Sequence, residues 1–223
     1  MGNPPPVDIL RPMMVNLNET FILSKFMNSI PVKTIQACFC GSNLDFSSCC
    51  LPYINKEVSP QTPEQLMRSR FSAYAFGNAQ YIFDTYAKSS QIAQSVKDID
   101  DWSHSCVWIA LEIHPIADNL NKTTEQFVEF SAFYITDNTL CELREKSRFV
   151  IEENKVSTVT ANVEIEENSD FKTQLKQWRY IDGDIIAHNE LANIKRNELC
   201  PCNNYPSRWQ LKKGKKFKHC CGK

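Results

Sequence analysis

Glu125-Gln-Phe-Val-Glu-Phe-Ser-Ala-Phe-Tyr-Ile-Thr136-Asp137-Asn138-Thr139-Leu140-Cys-Glu-Leu-Arg-Glu-Lys-Ser-Arg-Phe-Val-Ile-Glu152 is the stretch from which the fold is read. Alternation places Val128, Phe130, Ala132 and Tyr134 on one face of a strand over Glu125–Thr136, and Phe127, Phe133 and Ile135 on the other. Asp137-Asn138 is a turn signal, so a second strand over Leu140–Glu152 pairs back as a hairpin. Upstream, Ser105–His114 alternates Val107, Ile109, Leu111 and Ile113 on one face. Downstream, Leu175–Asp182 is a further strand, ended by Asp182-Gly183. Between the last two strands, Asn154–Gln174 reads as an extra hairpin over Ser157–Ile165 or as a long loop.

Two helices precede the strands. Thr62 as N-cap, Pro63 at the first helical position and Gln65 at the third open a helix that runs to about Phe76 and stops at Gly77. A second covers Ala79–Lys88, with Tyr81, Ile82 and Tyr86 along one side. Two helices followed by a long antiparallel run predict an α+β domain, the helices packed on one face of a curved sheet.

Projection at about 100° per residue puts Arg70 inside the apolar arc of Met67, Phe71, Ala73 and Tyr74, and Arg68 nearly opposite. On the Leu140–Glu152 strand, Glu145 and Ser147 share the face of Leu143, Phe149 and Ile151. On the last strand, Asp182 shares the face of Trp178 and Tyr180. Three charged groups, Arg70, Glu145 and Asp182, therefore point where the apolar residues point. Burying unpaired charge is costly, so either they meet as an ion network or they line a polar pocket. Arg70, Tyr74, Glu145, Tyr180 and Asp182 are the pocket candidates, Asp and Tyr being suited to proton transfer.

Ten cysteines are present, eight of them in one repeated pattern. The first copy is Cys38-Phe-Cys40 followed by Cys49-Cys50; the second is Cys200-Pro-Cys202 followed by Cys220-Cys221. Each has a phenylalanine, Phe46 or Phe217, three residues before the closing pair. Four thiols grouped two and two suit one tetrahedral ion, zinc before others. The rival is disulfides. Met1–Ala37 has no secretory pattern, Phe21-Ile22-Leu23 being broken at once by Ser24 and Lys25, and adjacent cysteines bridge poorly. In a reducing compartment such clusters bind metal more often than they form bridges. Cys106 and Cys141, alone in apolar strands, read as small buried hydrophobes.

The chain has 223 residues, 42% of them apolar, and a net charge of −1. That is enough for one substantial core, and no stretch is long enough to span a membrane. The charge is unevenly spread: residues 195–223 carry +8 and residues 1–194 carry −9. A basic tail on an acidic body suits an anionic partner, RNA included. With only 6 glycines, phosphate-cradling loops and nucleophile elbows are absent.

At Cys38-Phe-Cys40-Gly-Ser42 … Phe46-Ser-Ser-Cys49-Cys50 the chain resembles the SEC-C motif, the zinc knuckle also found at the C-terminus of the SecA translocation motor. With Leu66-Met-Arg68-Ser-Arg70-Phe71-Ser-Ala-Tyr74, Glu145-Lys-Ser147-Arg148-Phe149 and Trp178-Arg-Tyr180-Ile-Asp182-Gly183 added, residues 38–223 resemble the YchJ family. The resemblance implies a nuclear transport factor 2-like cone flanked by two SEC-C zinc knuckles, and a bacterial cytoplasmic protein. The domains expected are an N-terminal extension (1–37), a first knuckle (38–53), the α+β cone (60–185), and a linker with the second knuckle (186–223). Three departures stand out: the extension, the insertion near Asn154–Gln174, and nine added residues at Asn203–Leu211 that replace a Gly-Ser turn with Asn203-Asn204. A left-handed Asn could keep that turn, and His219 could stand in as a ligand.

The function expected is a zinc-binding interaction or adaptor protein. By analogy with the SecA knuckle, its partner is a protein or the ribosome, with RNA a further one, met through Lys212, Lys213, Lys215, Lys216 and Lys218. Cones of this class also pair through the open sheet face, so a homodimer is expected. The competing class is a small-molecule binder or enzyme that uses the polar interior of the cone, which a hollow interior would favour.

Overall fold

The helix expected from the Thr62 signal is there, and its ends are set as the residues require. Thr62 accepts a hydrogen bond from the Gln65 amide, Pro63 takes the first position, and Gly77 closes the helix in the left-handed region at φ 83°. The reciprocal arm goes one residue further out, because Gln65 Oε1 accepts from the Gln61 amide at 2.7 Å.

The computed structural model describes residues 36–116, 124–154, 175–205 and 214–222. The expected extension, apart from residues 36 and 37, lies outside the described residues. So do residues 155–174, including the expected Ser157–Ile165 hairpin, and residues 206–213, with Lys212 and Lys213. The elements in order are α1 (Leu51–Ile54), α2 (Pro63–Phe76), α3 (Ala79–Asp84), α4 (Lys88–Gln91), α5 (Val96–Ser105), β1 (Val107–His114), β2 (Glu125–Thr136), β3 (Thr139–Asn154) and β4 (Leu175–Asn193). Short 3-10 turns at Phe46–Ser48, Pro201–Asn204 and Phe217–His219 belong to the cysteine knuckles.

The four strands form one antiparallel sheet in the order β1-β2-β3-β4. Asp137 (φ 47°) and Asn138 (φ 62°) make the two-residue turn between β2 and β3, with Thr136 opposite Thr139. Both central residues in the left-handed region give the hairpin turn whose twist matches the strands, and Asn and Asp tolerate it without glycine. The β2 faces fall as alternation predicts. Val128, Phe130, Ala132 and Tyr134 join the larger core cluster with Phe71, Trp108 and Phe149, while Phe133 and Ile135 belong to a second cluster on the opposite face.

Four expectations are corrected. The helix predicted over Ala79–Lys88 ends at Asp84, because the Thr85 hydroxyl donates back to the Tyr81 and Ile82 carbonyls. The chain then runs extended, and Tyr86 bridges Tyr180 on β4. Helix α5 was missed, although Ser95 accepting from the Asp98 amide is a readable cap. In β1 a bulge between Trp108 and Ala110 breaks the alternation, so Ile109 joins the second cluster while Leu111 joins the first. Finally, residues 184–193 continue β4 rather than serving as a linker, since Asp182-Gly183 is no turn and Gly183 pairs with Ser147.

That last strand moves a candidate. Arg148 lies opposite Asp182 and Phe149 opposite Tyr180, so Ile181 is an extra residue in β4. The bulge shifts the alternation by one, as a bulge must. Asp182 therefore leaves the inner face, becomes exposed and pairs with half-buried Arg148, Nη2 to Oδ2 at 2.5 Å. The extra residue is not left unsatisfied: Ser90 Oγ donates to the Ile181 carbonyl at 2.6 Å. The Ala87 amide also donates to Tyr180 O at 2.7 Å, and the Tyr180 amide to Thr85 O at 3.0 Å. Contacts far apart in the chain make this bulge.

Candidate metal centres and the cone cavity

The two cysteine groups fold on one backbone plan. Cys38 N donates to Leu44 O (2.7 Å) and Cys200 N to Lys215 O (3.0 Å); Phe46 N donates to Gln36 O and Phe217 N to Glu198 O, both at 2.8 Å. Ala37 bridges Asp45 as Leu199 bridges Lys216. Each closing pair follows a 3-10 turn begun by the buried phenylalanine, Phe46 or Phe217. The repeated phenylalanine thus has a packing role in both knuckles.

In this alignment Asn43 (φ 63°) corresponds to Gly214 (φ 80°) and Gly41 to Asn203. Asn203 is not left-handed, which corrects the expectation that it would keep the turn that way. Instead its side chain clamps the ends of the insertion. Nδ2 donates to Cys200 O at 2.7 Å, and Oδ1 accepts from the Gly214 amide at 2.6 Å.

Cys38, Cys40, Cys49 and Cys50 form one cluster, and Cys200, Cys202, Cys220 and Cys221 a second, with the sulfurs of each within 4.8 Å of one another. All eight are free thiols. Individual separations are 3.7 Å (Cys40–Cys49), 3.9 Å (Cys49–Cys50), 3.5 Å (Cys202–Cys220) and 3.8 Å (Cys220–Cys221). A tetrahedron with metal–sulfur bonds of about 2.3 Å has edges of about 3.8 Å. The donor sets therefore fit a metal ion, and the spacings are far beyond a disulfide bond. Charge says the same. Hydrogen bonds from Cys38 and Cys50 hold the Cys40 thiol well below its usual range, while the bond to Cys40 pushes Cys38 up to about 12. Burial pushes Cys220 up to about 12 as well. Four thiolates can share so small a volume only around a cation. His219 is exposed and outside the second cluster, so it is no stand-in ligand. Cys106 and Cys141 are buried in the apolar core, as read.

The two centres sit differently. The first is part of the main core: Cys38 Sγ lies 3.7 Å from Ser72 Oγ on α2, Arg68 donates to Cys40 O at 3.0 Å, and Phe46 packs on Phe39 and Phe76. The second lies on the outer face of the sheet, with Cys200, Cys202, Cys220 and Phe217 clustered against Ile109, Ala110, Phe133, Ile135 and Leu140.

Between α2, α5 and the inner sheet face is a cavity of about 170 Å³. Arg70, Tyr74, Glu145 and Tyr180 all line it, so four of the five predicted pocket residues are brought together; Asp182 is not among them. Sequence reasoning missed Trp102 because α5 was not read, Trp108 because of the β1 bulge, and Tyr86 because it was placed in a helix rather than on the extended run beside Tyr180. Arg70 is 4% exposed and forms no ion pair among the described residues, contrary to the expected bridge to Glu145 or Asp182. Its Nη1 donates to Ile82 O (2.8 Å) and Thr85 Oγ1 (2.7 Å), and its guanidinium lies 4.4 Å from the Tyr86 ring centre and 4.7 Å from that of Tyr180. Glu145 Oε1 accepts from Tyr180 Oη (2.9 Å) and Ser147 Oγ (2.5 Å). Burial, then the Glu145 charge, lifts the Tyr180 phenol well above its usual range; burial does the same for Tyr74. Both phenols are therefore proton donors rather than bases near neutral pH.

Glu145 also explains a glycine. A Cβ on Gly183 would lie 2.0 Å from Glu145 Oε1. Gly183 is not left-handed, so the constraint is steric. Gly183→Ala should cost about 1–3 kcal/mol, and Glu145→Ala on the same chain should recover at least about 1 kcal/mol by removing the clash. Urea unfolding of the two single variants and the double variant measures this; additive losses would refute it.

Comparison with known proteins agrees with this architecture. The family model described as YchJ, middle NTF2-like domain, matches residues 62–159. A UPF0225 protein of Vibrio cholerae serotype O1 is 34% identical over 187 residues, spanning 83% of this chain and 99% of the relative. One from Serratia proteamaculans is 32% identical over 191 residues, spanning 84% and 99%. The crystal structure of a SEC-C motif containing protein from Psychrobacter arcticus superposes with a TM-score of 0.55 at 26% identity, covering 85% of this chain and 97% of the other. A SEC-C motif containing protein from Rhodopseudomonas palustris shares the fold, with a TM-score of 0.51 at 22% identity over 67% and 98%. With two tetrathiol clusters flanking an NTF2-like middle domain, the chain belongs to the UPF0225 (YchJ) family.

Proposed function

We propose that this chain is a zinc-binding interaction protein of the cytoplasm, in which zinc fills both tetrads and the second knuckle is the working surface. Zinc suits four sulfurs in a closed tetrahedral set, which leaves no open position for a substrate. The observation that carries the reading is the unequal placement of two otherwise matching knuckles. The first is built into the core and has no lysine or arginine between Cys38 and Cys50. The second rides on the sheet, with Lys215 and Lys216 exposed beside it, and Lys195 and Arg196 exposed at its entry. Cations fixed on a metal-held platform focus attraction toward an acidic protein or ribosomal RNA. No helix among the described residues is long and apolar enough to cross a membrane. The sheet face through which a homodimer was expected already carries the second knuckle at its β1–β2 end.

Replacing Lys213, Lys215, Lys216 and Lys218 with glutamine should weaken ribosome co-purification at least about tenfold and flatten its salt dependence. Zinc content should stay at two ions per chain. If every detectable partner, ribosome or acidic protein, stays bound at all salt concentrations, the adaptor reading is refuted. A second reading is favoured by the hollow cone: the cavity around Arg70 and Glu145 holds a small molecule.

A further inference from the structure

Arg70 and Glu145 are opposite charges in one cavity, and neither neutralises the other by contact. Arg70 spends both of its hydrogen bonds through Nη1; Nε and Nη2 have no hydrogen-bond partner among the described residues. Glu145 spends Oε1 on Tyr180 and Ser147, and Oε2 has no hydrogen-bond partner among the described residues. Attraction in a poorly polar interior would draw the two together. They are held apart because each is tethered: Arg70 by Ile82, Thr85 and the rings of Tyr86 and Tyr180, Glu145 by Tyr180 and Ser147. Arg70 is buried and Glu145 half-buried, and a gap kept open between opposite charges so placed favours a polar group that spans it.

The rest of the wall narrows the occupant. Phe71, Phe130 and Leu143 supply an apolar wall, and Tyr74, Trp102 and Trp108 add aromatic rings with polar tips, which together suit an aromatic ring that carries a polar group. At about 170 Å³ the space takes one ring with a short polar substituent. The two charges already balance, so an ionised ligand would bring an uncompensated charge into the cavity. A neutral group with neighbouring acceptor and donor meets both: its oxygen accepts from the Arg70 guanidinium and its N–H or O–H donates to Glu145.

Resting on the pocket reading above, we propose that the cavity binds an uncharged, single-ring molecule bearing an adjacent hydrogen-bond acceptor and donor, as in a primary amide or a hydroxy-carbonyl compound. Ligand-detected NMR and calorimetry on the full zinc-loaded chain, with benzamide, benzoate and benzylamine as probes, test it. Benzamide should bind at least tenfold tighter than either ion. In Glu145→Gln, Arg70 is left unbalanced and the order should reverse in favour of benzoate. Ala132→Leu, which fills the cavity without touching its polar groups, should abolish binding of every probe; Leu143→Phe serves should the first variant not fold. If benzoate or benzylamine binds best to the native chain, the charge-balance argument is overturned while the pocket stands. If no probe binds, or binding survives the filling variant that folds, the pocket reading itself falls.

Discussion

Losing the metal ligands of the first tetrad should unfold the cone, whereas losing those of the second should leave it standing. A closed thiolate site contributes on the order of 10 kcal/mol to the folding of small zinc units, comparable with the whole stability of a domain, about 5–15 kcal/mol. Where that energy acts depends on what the knuckle packs against. Cys38, Cys40 and Cys50 belong to the same buried cluster as Leu66, Phe71, Trp108 and Phe149, so an empty first site loosens α2 and the core together. Cys200, Cys202 and Cys220 belong to a separate cluster on the outer face, which can detach while the inner core stays closed. Cys40→Ser and Cys220→Ser should each lower zinc from two ions to one per chain. The first should lower the melting temperature by more than about 10 °C or prevent folding, and the second by only a few degrees, at about 2–4 °C per kcal/mol. Equal falls would show that the two centres support one core. Zinc near zero in the reduced native protein would refute the metal reading altogether.

Arg70→Ala should destabilise the chain by about 3–5 kcal/mol, through contacts other than a carboxylate. The side chain gives up two hydrogen bonds to a charged donor, commonly about 1.5–3 kcal/mol each when lost, and two cation–π contacts of about 0.5–2 kcal/mol. Part of this is recovered, because Ile82 O and Thr85 Oγ1 keep other hydrogen bonds. Arg70→Lys should restore less than half, since an ammonium cannot lie flat against both Tyr86 and Tyr180 while reaching two acceptors. Asp182→Asn is the contrast: its pair with Arg148 is largely exposed, so the loss should stay under about 1 kcal/mol. Denaturant unfolding of the three variants decides. A loss under about 1 kcal/mol for Arg70→Ala would mean that the guanidinium is not anchored as described.

Much of the candidate site was legible because it depends on local chemistry. Thr62, Pro63, Gln65 and Gly77 mark the ends of α2 through backbone groups a few residues away, and that fixed the helical phase that turned Arg70 inward. Glu145 and Ser147 needed only the alternation of a regular strand. Trp102 was lost from the cavity wall because α5, with its Ser95 cap, was not read as a helix, and Trp108 because a bulge in β1 reverses the alternation that had put Val107 and Ile109 inward.

The two tetrathiol sites, the α2 phase, the β2–β3 hairpin and the placing of Arg70 and Glu145 in one interior are readable from the residues before any fold is known. Each of these rests on spacing, capping or periodicity, which act between residues close in the chain. Long-range packing sets the rest: Asp182 faces solvent, Arg70 is held by Ile82, Thr85 and two tyrosine rings, and the second knuckle sits on the sheet while the first sits in the core. Asp182 illustrates why. The Ile181 bulge exists because Ser90, Thr85 and Ala87 bond to β4 from about ninety residues upstream, and one extra residue in a strand reverses every side chain beyond it. No period within β4 records that bond.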